Sequence, residues 1–279
     1  MEIQTALAHA IKQLSATSDS SQADAETLLA FALNKPRSYL LTWPEKELNQ
    51  QQQDTYRNLL QKRKQGSPIA YLTGKKEFWS LNLEVSPATL IPRPETELLV
   101  EMAINQLPLN SPSKALDLGT GSGAIALAIA KERPLCQVLA VDCSLGALNI
   151  AKQNKTHLQI NNLQFQLSHW FDDLVTTSFD LIVSNPPYIA PSDPHLTQGD
   201  LRFEPQHALS AQKDGFADLF HIAEHAIDHL KSGGWLMMEH GYDQKEMLME
   251  KLTTLGYTNV EDHTDYNGLD RVISGRLPT

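Results

Sequence analysis

The sequence of 279 residues contains only two cysteines, fewer Lys and Arg than Asp and Glu, and no long apolar run. Cys136 and Cys143 match neither a disulfide framework nor a metal-ligand spacing, so a reducing compartment is expected. With 23 cationic and 33 acidic residues, the formal net charge is -10. This charge argues against a broad nucleic-acid footprint, which requires clustered cations, and no direct nucleic-acid binding is expected. A local basic patch remains compatible with it.

Two further absences concern targeting and membranes. No stretch has the roughly 20 apolar residues that a membrane-spanning helix needs. The first 15 residues have the apolar spacing of an amphipathic helix. They lack the cationic start and apolar run of a signal peptide, and the Arg-rich composition of a transit peptide. The sequence therefore predicts a cytoplasmic protein with no membrane partner.

The hydrophobic periodicity changes along the chain. Segments 3–14, 21–33 and 45–66 have helical spacing, whereas residues 79–85 alternate with period two, which predicts a half-buried strand. The proline-rich segment 86–95 predicts an irregular connector. Helices and strands then alternate, which is typical of a mostly parallel sheet with helices on both faces and ligands at the carboxyl ends of its strands. The predicted helices are 96–107, 123–132, 146–158, 216–230 and 243–256, and the predicted strands are 114–118, 137–142, 163–167, 179–184, 234–240 and 270–277.

A strand, a glycine turn and a helix follow one another in ALDLGTGSGAIALAIA, residues 115–130. Gly119, Gly121 and Gly123 permit positive φ angles and close approach of a ligand to the backbone. Asp142 ends the next predicted strand, where a carboxylate suits the two hydroxyls of a ribose. These motifs predict a nucleoside cofactor and fit both NAD and S-adenosylmethionine. Asp117 favours S-adenosylmethionine, because a carboxylate would attract its positive charge and repel a pyrophosphate.

The segment SNPPYIAP, residues 184–191, ends a predicted strand with an amide, two prolines and a tyrosine. Proline cannot donate to a sheet ladder, so the strand must stop there. The side-chain oxygen of Asn185 and the carbonyl of Pro186 could accept both hydrogens of a planar NH2 group and turn its nitrogen toward a methyl donor. Pro187 makes this turn rigid, and Tyr188 could stack on the planar group. The motif predicts methyl transfer to a weakly nucleophilic nitrogen, driven mainly by positioning.

Further motifs cover almost the whole chain, among them GSPIAYLTGKKEFWSLNLEV, LIPRPETELLV, GDLRFEP, SGGWLMMEHG and RVISGR. In these motifs the sequence resembles the HemK/PrmC family, the peptide chain release factor N5-glutamine methyltransferases. The resemblance implies a helical release-factor-binding domain at residues 1–74 and a β-hairpin linker at residues 75–95. It implies an α/β, Rossmann-like class I methyltransferase domain at residues 96–279, with seven mostly parallel strands and an antiparallel final pairing.

The resemblance also implies the reaction. A methyl group of S-adenosylmethionine would be transferred to N5 of the glutamine in the Gly-Gly-Gln (GGQ) motif of class I release factors, which would modulate translation termination. S-adenosylhomocysteine would be the product. The implied cofactor-binding residues are Asp117, Gly119, Thr120, Gly121, Ser122, Gly123, Asp142, Trp170 and Asn185. The implied catalytic residues are Asn185, Pro186 and Tyr188, and the substrate-binding residues are these three with Pro187, Pro92, Arg93, Arg202 and Phe203.

Several residues admit a second interpretation. His169 stands where many relatives of the family have an aspartate before the tryptophan, which departs from the pattern at the adenine site. His221, His225 and His229 have the spacing of a metal-binding helix face, but a solvated face is favoured and no metal is expected. Glu239, at the end of a predicted strand, favours packing over catalysis. The two substrate-side arginines could instead form ion pairs within their loops.

Three other functions remain compatible with parts of the sequence. A DNA or RNA amino-methyltransferase acting on adenine N6 or cytosine N4 would use the same Asn-Pro-Pro-Tyr chemistry. An NAD-dependent oxidoreductase would use the glycine loop but leave Asn-Pro-Pro-Tyr unexplained. In a cofactor-binding adaptor the helical domain would carry the function, and Asn185 would be dispensable.

Overall fold

The computed structural model describes residues 1–175 and 178–279 of the protein. The chain divides into two compact units. The first unit comprises Met1–Lys75 and the separate segment Gln198–Phe203, and the second comprises Lys76–Thr197 and Glu204–Thr279. Among the described residues, no helix is both long and apolar enough to cross a membrane.

Helices build the first unit. They are α1 (Ile3–Leu14), α2 (Ser21–Leu33), α3 (Arg37–Thr42), α4 (Gln50–Lys64) and α5 (Ile69–Thr73). Ile3, Leu14 and Leu28 are buried in its core, because their helices carry apolar residues on one face. A capping box begins α4: the Asn49 side chain accepts from the Gln52 amide, and the Gln52 side chain accepts from the Asn49 amide. The sequence did not predict α3 and α5, because six and five residues are too few to show a helical period.

The segment Gln198–Phe203 is bound to the helices of the first unit. Arg63 of α4 donates to Asp24 Oδ2 at 2.7 Å and to Asp200 Oδ1 at 3.0 Å, with a side chain only 12% exposed. Arg202 donates to the carbonyl of Gln65 at 3.1 Å. Because Asp200 and Arg202 are both bonded to it, this short segment belongs to the helical unit despite its distance in sequence.

A two-stranded hairpin follows the helices, with strands β1 (Lys75–Phe78) and β2 (Leu81–Glu84). Trp79 and Ser80 have φ angles of 51° and 55° and form the two-residue turn between them. The hairpin that the family resemblance implied within residues 75–95 is therefore present. The alternation of residues 79–85 predicted a strand that began at Trp79, and this start was wrong. The alternation that begins at Leu81 extends by chance to Trp79, whose indole instead donates to Glu132 at 3.2 Å.

The second unit is a seven-stranded sheet with helices on both faces. Its strands are β3 (Ser113–Leu118), β4 (Cys136–Asp142), β5 (Leu163–Leu167), β6 (Phe179–Ser184), β7 (Leu230–Glu239), β8 (Thr258–Thr264) and β9 (Asp270–Arg276). Its helices are α6 (Glu97–Gln106), α7 (Ala124–Glu132), α8 (Leu145–His157), α9 (Ala217–His225) and α10 (Lys245–Thr254). The strand order is β5-β4-β3-β6-β7-β9-β8; the first four pairings are parallel, and β9 is antiparallel to both its neighbours.

Each face of the sheet has its own apolar core. Ala115 of β3 packs with the buried residues of α6 and α7, whereas the next residue, Leu116, packs with those of α9 and α10. The strands therefore bury side chains on both faces, as expected for parallel strands covered by helices. This architecture confirms the fold class that the sequence predicted.

The structure differs from the segment predictions at one strand and at the junction of α9 and β7. Periodicity did not locate strand β8, because it lies at the sheet edge and its residues are largely exposed and lack alternation. The helix predicted at 216–230 ends at His225, continues as a 3₁₀ turn at Ala226–His229, and gives way to β7 at Leu230. The two glycines at 233 and 234 suggested a later strand start, but they lie inside β7, where the pairing with β6 shifts register.

Candidate active site

The site lies where the strand order reverses. Strand β3 pairs with β4 on one side and with β6 on the other, so a crevice opens at the carboxyl ends of these three strands. A cavity of about 360 Å³ occupies this position. Of the residues predicted from sequence, it is lined by Gly119, Gly121, Asp142, Trp170, Asn185 and Pro187. Its remaining lining includes Ala88–Leu90, Cys143, Ala147, Ser168, His169, His207, Ala208, Ser210 and Asp218, which sequence reasoning did not assign to the cofactor or the substrate.

The glycine turn forms the floor of this cavity. Gly119 has a φ of 72°, and a Cβ atom there would lie 3.2 Å from the Trp170 ring. The amides of Gly119 and Thr120 both donate to the carbonyl of Val141 at 2.9 Å, which holds the turn against β4. Thr120, Ser122 and Gly123 were also predicted to contact the cofactor; they are buried within the turn and are not among the residues that line the cavity.

Asp117 lies in β3, two residues before Gly119. It is completely buried, and its Oδ2 accepts the Thr120 hydroxyl at 2.6 Å. Its Oδ1 has no hydrogen-bond partner in the described part of the chain. Burial raises the pKa of Asp117 to about 7, and the charge of Asp142 adds to the rise. Asp117 does not line the cavity, so any attraction for a cationic ligand acts through the turn and not by contact.

Asp142 presents its carboxylate to the cavity. Its Oδ2 accepts the Gly121 amide and its Oδ1 the Ser144 amide, both at 2.8 Å. Each carboxylate oxygen keeps a second lone pair, so both can accept a further hydroxyl. Burial raises its pKa, and the two backbone bonds oppose the rise. The two backbone hydrogen bonds thus fix the orientation of the carboxylate.

Trp170 forms an aromatic wall. Its indole nitrogen donates to Asp218 Oδ1 at 3.3 Å, and Asp218 also lines the cavity. Burial raises the pKa of Asp218, which the Trp170 hydrogen bond opposes. His169, the residue before Trp170, lines the cavity, and its Nδ1 is 3.4 Å from Asp172 Oδ2. Sequence reasoning missed Asp218, because an acidic residue in a first helical turn is also expected simply to favour the helix dipole.

Asn185 and Tyr188 are fixed by different residues. The Asn185 side-chain nitrogen donates to the Thr96 hydroxyl at 3.1 Å, so its side-chain oxygen remains the acceptor that can serve a ligand. Tyr188 donates its hydroxyl to Glu239 Oε1 at 3.1 Å, and its carbonyl accepts from Gln244 at 3.1 Å. Burial and the nearby Glu239 raise the pKa of Tyr188, so its hydroxyl stays protonated. Pro186 between them is buried.

The predicted substrate-side residues divide between the two units. Arg93 forms an ion pair with Glu204, whose buried carboxylate also accepts the Ile91 amide at 2.9 Å. This is the loop ion pair that the sequence left open for Arg93, and Pro92 lies between the two anchored residues. Arg202 and Phe203 belong to the helical unit, where the guanidinium lies 4.9 Å from the ring centroid.

The three histidines of the predicted helix face do not share one solvated face. His221 and His225 stack with ring centroids 4.2 Å apart, and His229, beyond the end of α9, stacks on Phe171 at 4.8 Å. His221 and His229 are half-buried and only His225 is exposed. The expected solvated face was wrong for these two residues: His229 lies beyond the helix, which ends at His225, and His221 is partly covered within it. No cluster of metal-ligating side chains occurs within residues 1–175 and 178–279.

The cavity combines groups suited to S-adenosylmethionine and to a planar amide. Three features fit a nucleoside: the Asp142 carboxylate, which can accept two hydroxyls, the indole of Trp170, and the exposed backbone of the glycine turn. The side-chain oxygen of Asn185, which can accept from a planar amide, lies at the same cavity. The sheet order and this site define a class I methyltransferase.

Comparison with known proteins agrees with this class. A family model of the PrmC N-terminal domain matches residues 5–74, and one of a methyltransferase domain matches residues 109–273. The chain is 51% identical to the release factor glutamine methyltransferase of Aliivibrio fischeri, over 99% of this chain and 98% of that protein. It is also 51% identical to the protein of that name in Shewanella oneidensis, over 98% and 96% of the two chains. A crystal structure of a methyltransferase from Pyrococcus furiosus shares the fold, with a TM-score of 0.55 and 22% identity over 71% of this chain and 90% of that one.

The chain belongs to the release factor glutamine methyltransferase family. The resemblance inferred from the sequence motifs is thereby confirmed, and the protein is a methyltransferase enzyme.

Proposed function

We propose that the protein transfers a methyl group from S-adenosylmethionine to N5 of the glutamine in the GGQ motif of class I release factors. Membership of the family supports this reaction. The observation that carries it is the orientation of Asn185, whose nitrogen is bonded to Thr96 and whose oxygen is left for a substrate NH2 group. A glutamine amide is a planar NH2 group of the kind that this acceptor suits.

The cofactor would be held by residues of the glycine turn and its neighbours. Asp142 would accept the two ribose hydroxyls, because both of its oxygens are oriented by backbone amides and retain free lone pairs. Trp170 would lie against the adenine, and Gly119 and Gly121 would allow the ligand close to the backbone. When bound, S-adenosylmethionine supplies an electrophilic methyl group on a sulfonium, and S-adenosylhomocysteine remains after transfer.

The chain contributes to the chemistry mainly by orientation. Asn185 Oδ1 and the carbonyl of Pro186 would each accept one hydrogen of the glutamine amide, which raises electron density on its nitrogen and fixes the direction of its lone pair. Pro186 and Pro187 hold these acceptors in place at little entropic cost. Positioning of this kind can contribute roughly 7–11 kcal/mol to lowering a barrier in favourable cases.

The proton that the methylated nitrogen releases does not pass to Tyr188. The pKa of Tyr188 is raised by burial and by Glu239, and its hydroxyl is already a donor to that carboxyl group. The nitrogen becomes strongly acidic as it forms its bond to carbon, so water suffices as the proton acceptor. Tyr188 would instead offer its ring as a stacking surface for the amide.

We further propose that the helical unit binds the release factor, and that Pro92, Arg93, Arg202 and Phe203 contact the peptide around the GGQ motif. The exposed side chain of Arg202 is available for such a contact. Translation termination takes place in the cytoplasm, and this is the compartment that we propose for the protein.

The decisive experiment is mass spectrometry of a release factor incubated with the protein and S-adenosylmethionine. We expect one added methyl group on the GGQ glutamine with the wild type and none with Asn185→Ala. Asn110→Ala, which changes an exposed asparagine, is the matched control and should behave as the wild type.

The outcome separates the remaining functions. Cofactor binding without methylation of the release factor would refute the proposed substrate and would direct the search to the amino groups of DNA and RNA. Full methylation by Asn185→Ala would refute the proposed chemistry of the site.

A further inference from the structure

Two buried residues outside the Asn-Pro-Pro-Tyr motif each accept a hydrogen bond from one of its functional side chains. Thr96 precedes α6 and is 4% exposed, and Glu239 ends β7 and is 1% exposed. Thr96 accepts from Asn185, and Glu239 accepts from Tyr188, both at 3.1 Å. The parallel register explains why Glu239 reaches the motif: Ser184 of β6 pairs with Met238 of β7, so the next residue on each strand lies at the same level.

Glu239 is also influenced by Thr96. Burial raises the pKa of the Glu239 carboxyl group, and the Thr96 hydroxyl, the Tyr188 hydroxyl and the charge of Arg271 oppose the rise. Glu239 Oε2 is buried and has no hydrogen-bond partner among the residues that the structure describes. Thr96 accepts from Asn185 and does not use its own hydroxyl proton in that bond. Glu239 Oε2 is therefore a candidate acceptor for this proton.

The direction of these hydrogen bonds decides which end of the Asn185 amide faces the substrate. A threonine hydroxyl can either donate or accept, so by itself it does not orient an amide. An ionised carboxylate only accepts, so Glu239 in its ionised form would take the Thr96 proton. The Thr96 oxygen must then accept from Asn185, and the amide oxygen is left to the substrate. The opposite orientation would present an NH2 group to the glutamine NH2 group, which cannot form the required bond.

We propose that Thr96 and Glu239 are positioning residues for methyl transfer, which together orient the amide of Asn185 and hold the ring of Tyr188. This inference rests on the proposed function and adds two residues that the motif does not contain. Glu239 would thus hold Tyr188 directly and act on Asn185 through Thr96.

The first test compares Thr96→Val with Thr96→Ser. Valine has the shape of threonine but no hydroxyl, so the Asn185 amide loses the group that orients it. We expect kcat for the release factor to fall roughly tenfold to hundredfold, the range for a buried polar group deprived of its partner. The affinity for S-adenosylhomocysteine should stay within about twofold, since neither hydrogen bond serves the cofactor. Thr96→Ser keeps the hydroxyl and should restore kcat to within about threefold of the wild type.

The second test uses Glu239→Gln alone and combined with Thr96→Val. Glutamine can accept one hydroxyl, but its NH2 group can donate to Thr96 and reverse the order of donors, so kcat should again fall at least tenfold. If the two residues act through each other, kcat of the double variant should be only slightly lower than kcat of the more affected single variant. If they act independently, the two fold-decreases in kcat should multiply. Ser274→Ala, which removes another buried, hydrogen-bonded hydroxyl in the sheet, is the control and should keep the wild-type kcat.

The results distinguish this inference from the function on which it rests. Absence of release-factor methylation by the wild type would refute the proposed function. Methylation by the wild type with unchanged kcat in both Thr96→Val and Glu239→Gln would refute only the positioning role. Should Thr96→Val fail to fold, Glu239→Gln decides the question, and an unchanged kcat in that variant overturns the proposal. A purely structural role would lower thermal stability in these variants without the rescue by serine and without the non-additivity.

Discussion

The Asp117 carboxyl group should make the free energy of unfolding fall as the pH rises, and replacing Asp117 by asparagine should remove that fall. Asp117 is completely buried beneath the glycine turn, with one oxygen bonded to Thr120 and the other without a partner among the described residues. Burial raises its pKa from 3.8 to about 7. The folded state therefore binds the proton more tightly than the unfolded state does. This stabilising effect is complete at low pH and is lost as the pH rises through about 7.

The size of the effect follows from that shift. Each pKa unit corresponds to about 1.36 kcal/mol, so the full loss between low pH and high pH is about 4 kcal/mol. Between pH 5 and pH 8, where experiments are practical, the contribution of Asp117 to the free energy of unfolding should fall by about 2.5 kcal/mol. Asparagine keeps an oxygen for Thr120 and has no charge to bury. Relative to the wild type, Asp117→Asn should therefore gain about 2.5 kcal/mol over this range of pH.

The assay is chemical denaturation of the cofactor-free protein at several pH values, for the wild type, Asp117→Asn and Asp243→Asn. Ionisable groups that do not interact with Asp117 contribute equally to all three proteins and cancel in the differences. Asp142, whose charge adds to the rise of the Asp117 pKa, is the exception, and its change belongs to the measured effect. Asp243 is exposed in the same unit and serves as the control, with no expected trend. A difference between the wild type and Asp117→Asn that stays constant from pH 5 to pH 8 would refute the reasoning.

Three further predictions concern the cavity and its loops. Asp142→Ala should weaken S-adenosylhomocysteine binding by roughly 3 kcal/mol in calorimetry, because two hydroxyl acceptors are lost; unchanged affinity would remove Asp142 from the cofactor site. Trp170→Ala should weaken the same binding by about 1–3 kcal/mol and Trp170→Phe by less, as expected for stacking on a base; equal losses would exclude stacking. Arg93→Met should lower the free energy of unfolding by roughly 3 kcal/mol, because it leaves the buried carboxylate of Glu204 unpaired. Arg93→Met combined with Glu204→Gln should recover part of this loss in chemical denaturation, and no recovery would contradict the ion-pair explanation.

The parts of the site that could be predicted from sequence are those that a strand and its following turn determine locally. Gly119 and Asn185 directly follow a strand, Asp142 is the last residue of one, and parallel strands bring their carboxyl ends to one edge. Trp170 was assigned through the family resemblance, and it lines the same cavity. Whether each residue contacts the cofactor or substrate remains a prediction.

The supporting contacts could not be predicted, because they depend on the path of loops and on strand register. Thr96 meets Asn185 across 89 residues of sequence, and Glu204 meets the Ile91 amide across 113. No local pattern encodes such distances. Asp117 shows a related limit: its charge predicted contact with a cofactor, whereas the structure buries its side chain and bonds it to Thr120.

The position of β9 has a consequence for how the chain is made. Strand β9 follows β8 in sequence but lies between β7 and β8 in the sheet. During synthesis, β7 and β8 therefore leave the ribosome before the strand that separates and joins them. Until β9 inserts, β7 has an unpaired edge, which is a template for pairing with another chain. The methyltransferase unit should accordingly be most prone to aggregate in the interval between synthesis of β8 and insertion of β9. Fragments that end within Tyr266–Asp270 should aggregate in cells that accumulate the whole chain in folded form.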